Sequence, residues 1–216
     1  DILDLSLSDT DNSSQVTFTF SEAAVPGSVT LAVAHGSLSP LVWNAGNTSA
    51  TATFTADNSF AGTGSVQVVS FTDTAGNAGT GDTDTVAIDT ANPTVDVDIL
   101  DLSLSDTDNS SQVTFTFSEV PTGFANADVT FVGGTLTAVT QDLVLDPTGK
   151  IYTATFTATD GFNGSGSVSV TAGSYTDAAG NLGGPGTDTV QIETSDPNNF
   201  DSLGIPGDNT DGDPDA

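Results

Sequence analysis

Cysteine is absent from the 216 residues, so neither disulfides nor thiolate metal sites are open to this chain. Bases are almost absent too: Lys150 stands alone against 29 acids, for a formal net charge of −28. Binding nucleic acid requires Lys and Arg to neutralise phosphates, which excludes that partner, and an anionic membrane surface fails on the same sign argument. No apolar run reaches the ~18 residues that a membrane-spanning helix needs. There is one histidine, His35, with no second general base or thiol to work with, and it reads as a turn residue. Asp146-Pro-Thr-Gly-Lys150 lacks the glycines of a phosphate loop and reads as a hairpin turn. No paired catalytic acids, nucleophile–base couple or cofactor loop is visible, so the expectation is a protein that is not an enzyme. No signal peptide is visible and the chain begins at Asp, so its natural ends are expected to lie elsewhere.

What is present is a repeat. The 22-residue block DILDLSLSDTDNSSQVTFTFSE occupies 1–22 and returns unchanged at 98–119. Weaker pairs follow in the same order: 50–68 with 152–170, 71–79 with 175–183, and 83–90 with 187–194. A period of this length is too long for a solenoid unit and matches one small domain able to fold alone. The expected division is 1–91 and 92–197 for two modules, with 198–216 as an acidic Asp/Gly/Pro-rich tail.

Val, Thr, Phe and Ser dominate the ordered stretches with apolar period two, and helices are not expected. Val16, Phe18 and Phe20 fall on one face of a strand, and Val113, Phe115 and Phe117 repeat them. About seven such segments per module predict an all-β chain: two tandem immunoglobulin-like β-sandwiches in an extended arrangement. Val95, Val97 and Ile99 share one parity, whereas Leu100, Leu102 and Leu104 take the other. That flip predicts a first strand that bends and crosses from one sheet to the other, with the three leucines on its new apolar face. Pro93, in the short linker, stiffens the crossing between modules.

Only Glu22, Glu119 and Glu193 among the acids are Glu; the rest are Asp. Such a bias points to loops, turns and cation ligands, with a salt-adapted or solubilising surface as the alternative. In a sandwich of this type the start of the first strand, the loop after the second and the loop between the last two share one pole. Topology therefore predicts that Asp96, Asp98, Glu119, Asp177 and Asn181 of module two meet Asp89 at the end of module one. Clustered carboxylates at neutral pH repel strongly, and a hard cation with oxygen ligands relieves this; Ca²⁺ tolerates irregular loops better than Mg²⁺. Asp1, Glu22, Asp73 and Asn77 form the matching set at the outer pole of module one, placed to meet a preceding module. A plain Asp- and Asn-capped turn is the competing reading of Asp73–Asn77 and Asp177–Asn181. The acids of 8–14 and 105–111 are placed at the opposite pole of each module, in a hairpin-like loop, where a cation-ligand role and a plain turn both stay open.

The order of VTFTFSE, the Gly-rich GSGSVSV, YTDAAGN and TDTV resembles bacterial immunoglobulin-like repeats in the extender regions of giant, type I-secreted RTX adhesins. The resemblance covers about residues 1–197. It implies Ca²⁺ at module joints, neighbouring modules of the same chain as partners, an extracellular place on the bacterial surface, and a spacer role in cell adhesion. By position it implies Asp89, Asp96, Asp98, Glu119, Asp177 and Asn181 as ligands, with Glu193 replacing Asp89 at the next joint. DNTDGDPD (208–215) resembles calcium-binding Asp-rich linkers of thrombospondin type 3. Two other functions stay open: a sandwich that binds a glycan or protein, for which Trp43 and the divergent 23–49 stretch speak, and a subunit of an extracellular filament or surface layer.

Overall fold

The structure is a computed structural model, and it describes residues 1–195. The tail 198–216, with DNTDGDPD and the last two residues assigned to module two, lies outside the described residues. Module one contains β1 (Ser6–Ser8), β2 (Ser13–Thr19), β3 (Thr30–Ala34), β4 (Gly36–Leu38), β5 (Val42–Trp43), β6 (Ser49–Ala56), β7 (Ala61–Ser70) and β8 (Thr83–Asp89). Module two contains β9 (Val95–Ile99), β10 (Ser103–Ser105), β11 (Ser110–Phe117), β12 (Val129–Val132), β13 (Gly134–Leu136), β14 (Thr140–Gln141), β15 (Ile151–Ala158), β16 (Asn163–Val170) and β17 (Gly186–Glu193). Pro26–Ser28 and Asn126–Asp128 form single 3-10 turns. Among the described residues no helix is long and apolar enough to cross a membrane.

Each module packs two sheets face to face. In module one these are β1-β8-β7-β3 and β2-β6-β4, with β5 also on β6; in module two, β10-β17-β16-β12 and β9-β11-β15-β13, with β14 also on β15. The alternation read in the sequence decides what fills the space between. Val16, Phe18 and Phe20 are buried with Phe54 and Val86, and Val113, Phe115 and Phe117 with Phe156 and Val190. Trp43, half-buried, stacks on Phe20 with centroids 5.4 Å apart, which places it against the core. His35 takes a left-handed backbone (φ 57°) at the β3–β4 turn and stacks on Phe60 at 4.0 Å.

The first strand does change sheets. β9 pairs antiparallel with β11, and after three intervening residues β10 pairs parallel with β17 on the opposite sheet. The leucine expectation fails in part: Leu104 is buried, but Leu100 and Leu102 are exposed, Leu102 by 87 %. The chain spends residues 100–102 bridging the sheets across the open side of the sandwich, so parity alone does not carry a side chain inward there. Leu3 and Leu5 repeat this exposure in module one.

Both modules close their last strand with a threonine. The Thr90 hydroxyl donates to Asp57 O (2.7 Å) and accepts from Phe60 N (3.1 Å); the Thr194 hydroxyl donates to Thr159 O (2.7 Å) and accepts from Phe162 N (2.9 Å). Thr194→Val keeps the shape but strands a buried carbonyl and amide, an expected loss of about 1–2 kcal/mol. Thr90→Val should match it in module one. Urea denaturation of both variants checks this, and a neutral result in either would mean that water replaces the hydroxyl.

Candidate metal centre at the module joint

Three elements converge where the modules meet. Asp89 ends β8, Glu119 follows β11 by two residues, and Asp177 opens the turn between β16 and β17. One carboxylate oxygen from each lies within 4.8 Å of the other two. Asp177 is buried at 2 % exposure, while Asp89 and Glu119 are half-buried. Burial, then the Asp177 and Asp89 charges, push the Glu119 carboxyl above its ordinary range, against the pull of Lys150. Lys150 itself donates to Ser118 O at 2.8 Å, beside the cluster.

The Asp177–Asn181 turn explains the local geometry. Asn181 donates from its backbone N to Asp177 Oδ1 (2.9 Å) and from Nδ2 to Oδ2 (2.7 Å), so the Asp caps its own turn, and Gly180 supplies the φ of 89° that the turn requires. Asp73 and Asn77 make the same two bonds at 2.7 and 2.6 Å, and the Asn77 side-chain bond is the main reason the Asp73 carboxyl sits below its ordinary range. The two turns differ in what Asn does next. Fully buried Asn181 extends Nδ2 to Asp89 O (2.8 Å) and Ala91 O (3.2 Å), and its Oδ1 accepts from Asp9 N (2.7 Å). One side chain thus holds the end of module one, the linker and the second module together.

The linker has little freedom left. Ser118 N donates to Thr94 O (3.0 Å), and Thr94 N to Ser118 Oγ (2.9 Å). Pro93 O accepts from Gly184 N (2.8 Å) and from the Tyr175 hydroxyl (3.3 Å), whose pKa burial pushes up to about 12. Pro93 is therefore one restraint among several.

Other sequence-derived candidates fall elsewhere. Asp96 and Asp98 lie on the solvent face of β9, opposite Thr116 and Thr114, outside the carboxylate group. The parity that buries Val95, Val97 and Ile99 turns the intervening acids outward. Asp1 occupies the same register against Thr17, mid-strand and not at a pole, and Glu22 is exposed. Among the described residues, Asp89, Glu119 and Asp177 are the group of three or more metal-type side chains that converges. The sequence reading puts Asp9 and Asp11 at the far pole of module one with a ligand role open, but does not bring that pole to the joint. The pole opposite Asp73 is the one that faces module two, and the parallel β1–β8 pairing sets Ser8 beside Asp89. Ser8, Asp11, Asp89, Ala178 and Ala179 line a cleft of about 430 Å³ there. The short linker after Asp89 was the available signal.

Several acids have structural duties. Asp84 Oδ2 accepts from Ile2 N (2.6 Å) and Asp188 Oδ2 from Ile99 N (2.8 Å), tying first and last strands. The Thr148 hydroxyl, then Thr148 N and Lys150 N at 2.9 Å, donate to Asp146 and hold its carboxyl low in the hairpin turn.

A profile of the family described as "Bacterial Ig-like domain" matches residues 2–88 and again 89–194. No curated protein matches the chain in sequence. Among solved structures, the Yersinia pseudotuberculosis adhesin InvE is 14 % identical over 89 % of this chain and 57 % of its own, with a TM-score of 0.34. Yersinia pseudotuberculosis InvD is 21 % identical over 89 % of this chain and 56 % of its own, also at 0.34. The chain thus spans little more than half the length of either. Two domains of the S-layer protein SbsC are 14 % identical over 91 % of this chain and 97 % of their own, at 0.24. On its two successive matches, the chain belongs to the bacterial Ig-like domain family and holds two such domains in tandem.

Proposed function

We propose that these two domains are spacer modules of a bacterial surface adhesin, and that Ca²⁺ bound at their joint fixes the angle between them. The observation that carries this reading is the convergence of Asp89 from one module with Glu119 and Asp177 from the other. All three donors are carboxylate oxygens, which suits a hard cation and not a soft one. Asp89, Glu119 and Asp177 would hold the ion, which would cancel their repulsion; Asn181, its amide already engaged, braces the two loops that carry them. Family membership supports an extracellular, non-catalytic role, and verbatim duplication suits a part whose product is length. Asp73, Asn77 and Glu22 offer the same turn chemistry to a preceding module.

Small-angle scattering tests the reading directly. The distance distribution should be narrow in millimolar CaCl₂ and broader in EDTA, with both sandwiches still folded. An unchanged distribution would leave the joint to hydrogen bonds alone. Calorimetric calcium titration adds the residue-level check: Asp177→Ala should weaken binding by at least about tenfold, ~1.4 kcal/mol, and Asp106→Ala much less. The reverse order would remove Asp177 from the site.

A further inference from the structure

Lys150 is the chain's sole Lys or Arg, and it stands beside the one group of carboxylates that converges among the described residues. Module one differs at the matching place. Phe20 N donates to Thr48 O (2.9 Å) as Phe117 N donates to Lys150 O (3.0 Å), so Thr48 is the residue in register with Lys150. The verbatim repeat likewise sets Glu22 in register with Glu119, and Glu22 is exposed and lies outside the convergent group. Asn44 N donates to Ser49 O (3.0 Å) and Asp142 N to Ile151 O (2.9 Å), which brackets the connection before each of these residues. It runs over four residues in module one (45–48) and eight in module two (143–150). The longer connection fixes its last residue. Asp146 Oδ2 accepts from Lys150 N (2.9 Å), Gly149 turns the chain at φ 86°, and Gln141 Nε2 donates to Gly149 O (2.9 Å). With both backbone groups held, Lys150 sends its ammonium to Ser118 O (2.8 Å), one residue before Glu119.

We propose that Lys150 is the joint's built-in counter-charge: its tethered ammonium holds Asp89, Glu119 and Asp177 together before any metal arrives, and opposes a divalent ion once one comes. The first part stands without the calcium reading of the joint, and the second rests on it. Three carboxylate oxygens within 4.8 Å of one another, one of them on a buried side chain, repel strongly at neutral pH. A fixed positive charge offsets part of that repulsion at no cost in binding entropy. The ammonium's partner is a backbone carbonyl, so its charge is near the carboxylates while their oxygens stay open. That charge is felt at Glu119. Burial, then Asp177 and Asp89, push the Glu119 carboxyl up, and Lys150 is the one influence that pulls it back. The same sign that calms the carboxylates repels a cation approaching them. A joint with Lys150 is therefore better assembled without metal, and takes metal only at a higher concentration, than a joint with threonine in its place.

The test compares the full chain with Lys150→Gln and with Lys150→Arg, which keeps the charge. In EDTA at low ionic strength, small-angle scattering should give a broader inter-module distance distribution for Lys150→Gln than for wild type, and Lys150→Arg should match wild type. About 0.5 M NaCl should shrink the difference, because salt shortens the reach of the ammonium. By calorimetry at low ionic strength, Lys150→Gln should bind calcium at least about threefold more tightly than wild type, the order of one unit charge acting on a divalent ion through water. Lys150→Arg should leave the affinity unchanged. Equal distributions for wild type and Lys150→Gln in EDTA would overturn the proposal. Broadening in both variants would overturn it too, since a lost hydrogen bond or stem contact would then be responsible and not the charge. Calcium binding no tighter in Lys150→Gln would overturn the opposition to the metal. Calcium uptake that Asp177→Ala leaves intact would instead remove the calcium reading of the joint, and the EDTA comparison would still decide the counter-charge.

Discussion

Asn181→Ala is expected to unfasten the joint, and Asn77→Ala is expected to leave module orientation unchanged. Both asparagines bond their own Asp at i−4 through backbone and side chain, so their local contributions should cancel in the comparison. Only Asn181 also reaches Asp89 O, Ala91 O and Asp9 N. Its removal leaves a buried amide and carbonyls of the other module without their partner, at about 1–3 kcal/mol for each group that water cannot reach. The excess loss of Asn181→Ala over Asn77→Ala should therefore be a few kcal/mol. It should appear as broadened inter-module distances in scattering, and as residual dipolar couplings that no longer fit one alignment tensor. If the two variants behave alike, the bonds across the joint contribute nothing net. If both broaden, the turn matters through its own fold. Run in EDTA, this comparison also separates hydrogen bonding from any cation.

Much of the architecture is legible because the repeat and the period-two pattern report on burial, which is what fixes a sandwich. Val16, Phe18 and Phe20 are inward for the reason that Thr17 and Thr19 are not. The sheet change after Ile99 is readable as a parity flip because a strand that crosses the core must present its other side. Leu100 and Leu102 show the limit: parity describes a strand, and residues between two strands obey the crossing geometry instead. Asp96 and Asp98 show another. Their nearness to the linker in sequence suggested the pole, yet the alternation that buries Val95 and Val97 turns them to solvent along the sheet. The pole of Asp9 was legible but its place at the joint was not, since that depends on the parallel pairing of β1 with β8, a contact about 80 residues apart in sequence. The Asp bias was ambiguous for a physical reason. The same short carboxylate that suits a cation also caps a turn or ties a strand, as Asp146, Asp84 and Asp188 do.

Glu119→Gln should have opposite effects on stability with and without calcium. In EDTA the wild-type carboxyl is half-buried and beside Asp177 and Asp89, the causes that raise its pKa. A raised carboxyl pKa means that the folded state holds the proton more tightly than the unfolded chain. The cost is then full above the folded pKa and disappears as pH falls through it to the ordinary value of 4.5. Glu119→Gln removes that cost, so the variant should melt higher than wild type at pH 7 in EDTA, and the gap should close as pH falls to about 4.5. Below 3.8 another loss sets in for both proteins, as Asp84 and Asp73, held low by the Ile2 and Asn77 bonds, take up protons. In calcium the order should invert. Extracellular sites bind with Kd of about 10⁻⁴–10⁻³ M, and ligand at ~100 times Kd adds roughly 2.7 kcal/mol. For a module of this size that is on the order of 10 °C in Tm. The wild type should gain it at the joint and Glu119→Gln should lose most of it, because an amide oxygen brings no charge to offset its desolvation. Magnesium at equal ionic strength separates specific binding from screening of the −28 charge. Parallel gains for both proteins in either salt would mean that the cation acts on the surface as a whole, and that the joint is held by Asn181 and the linker bonds.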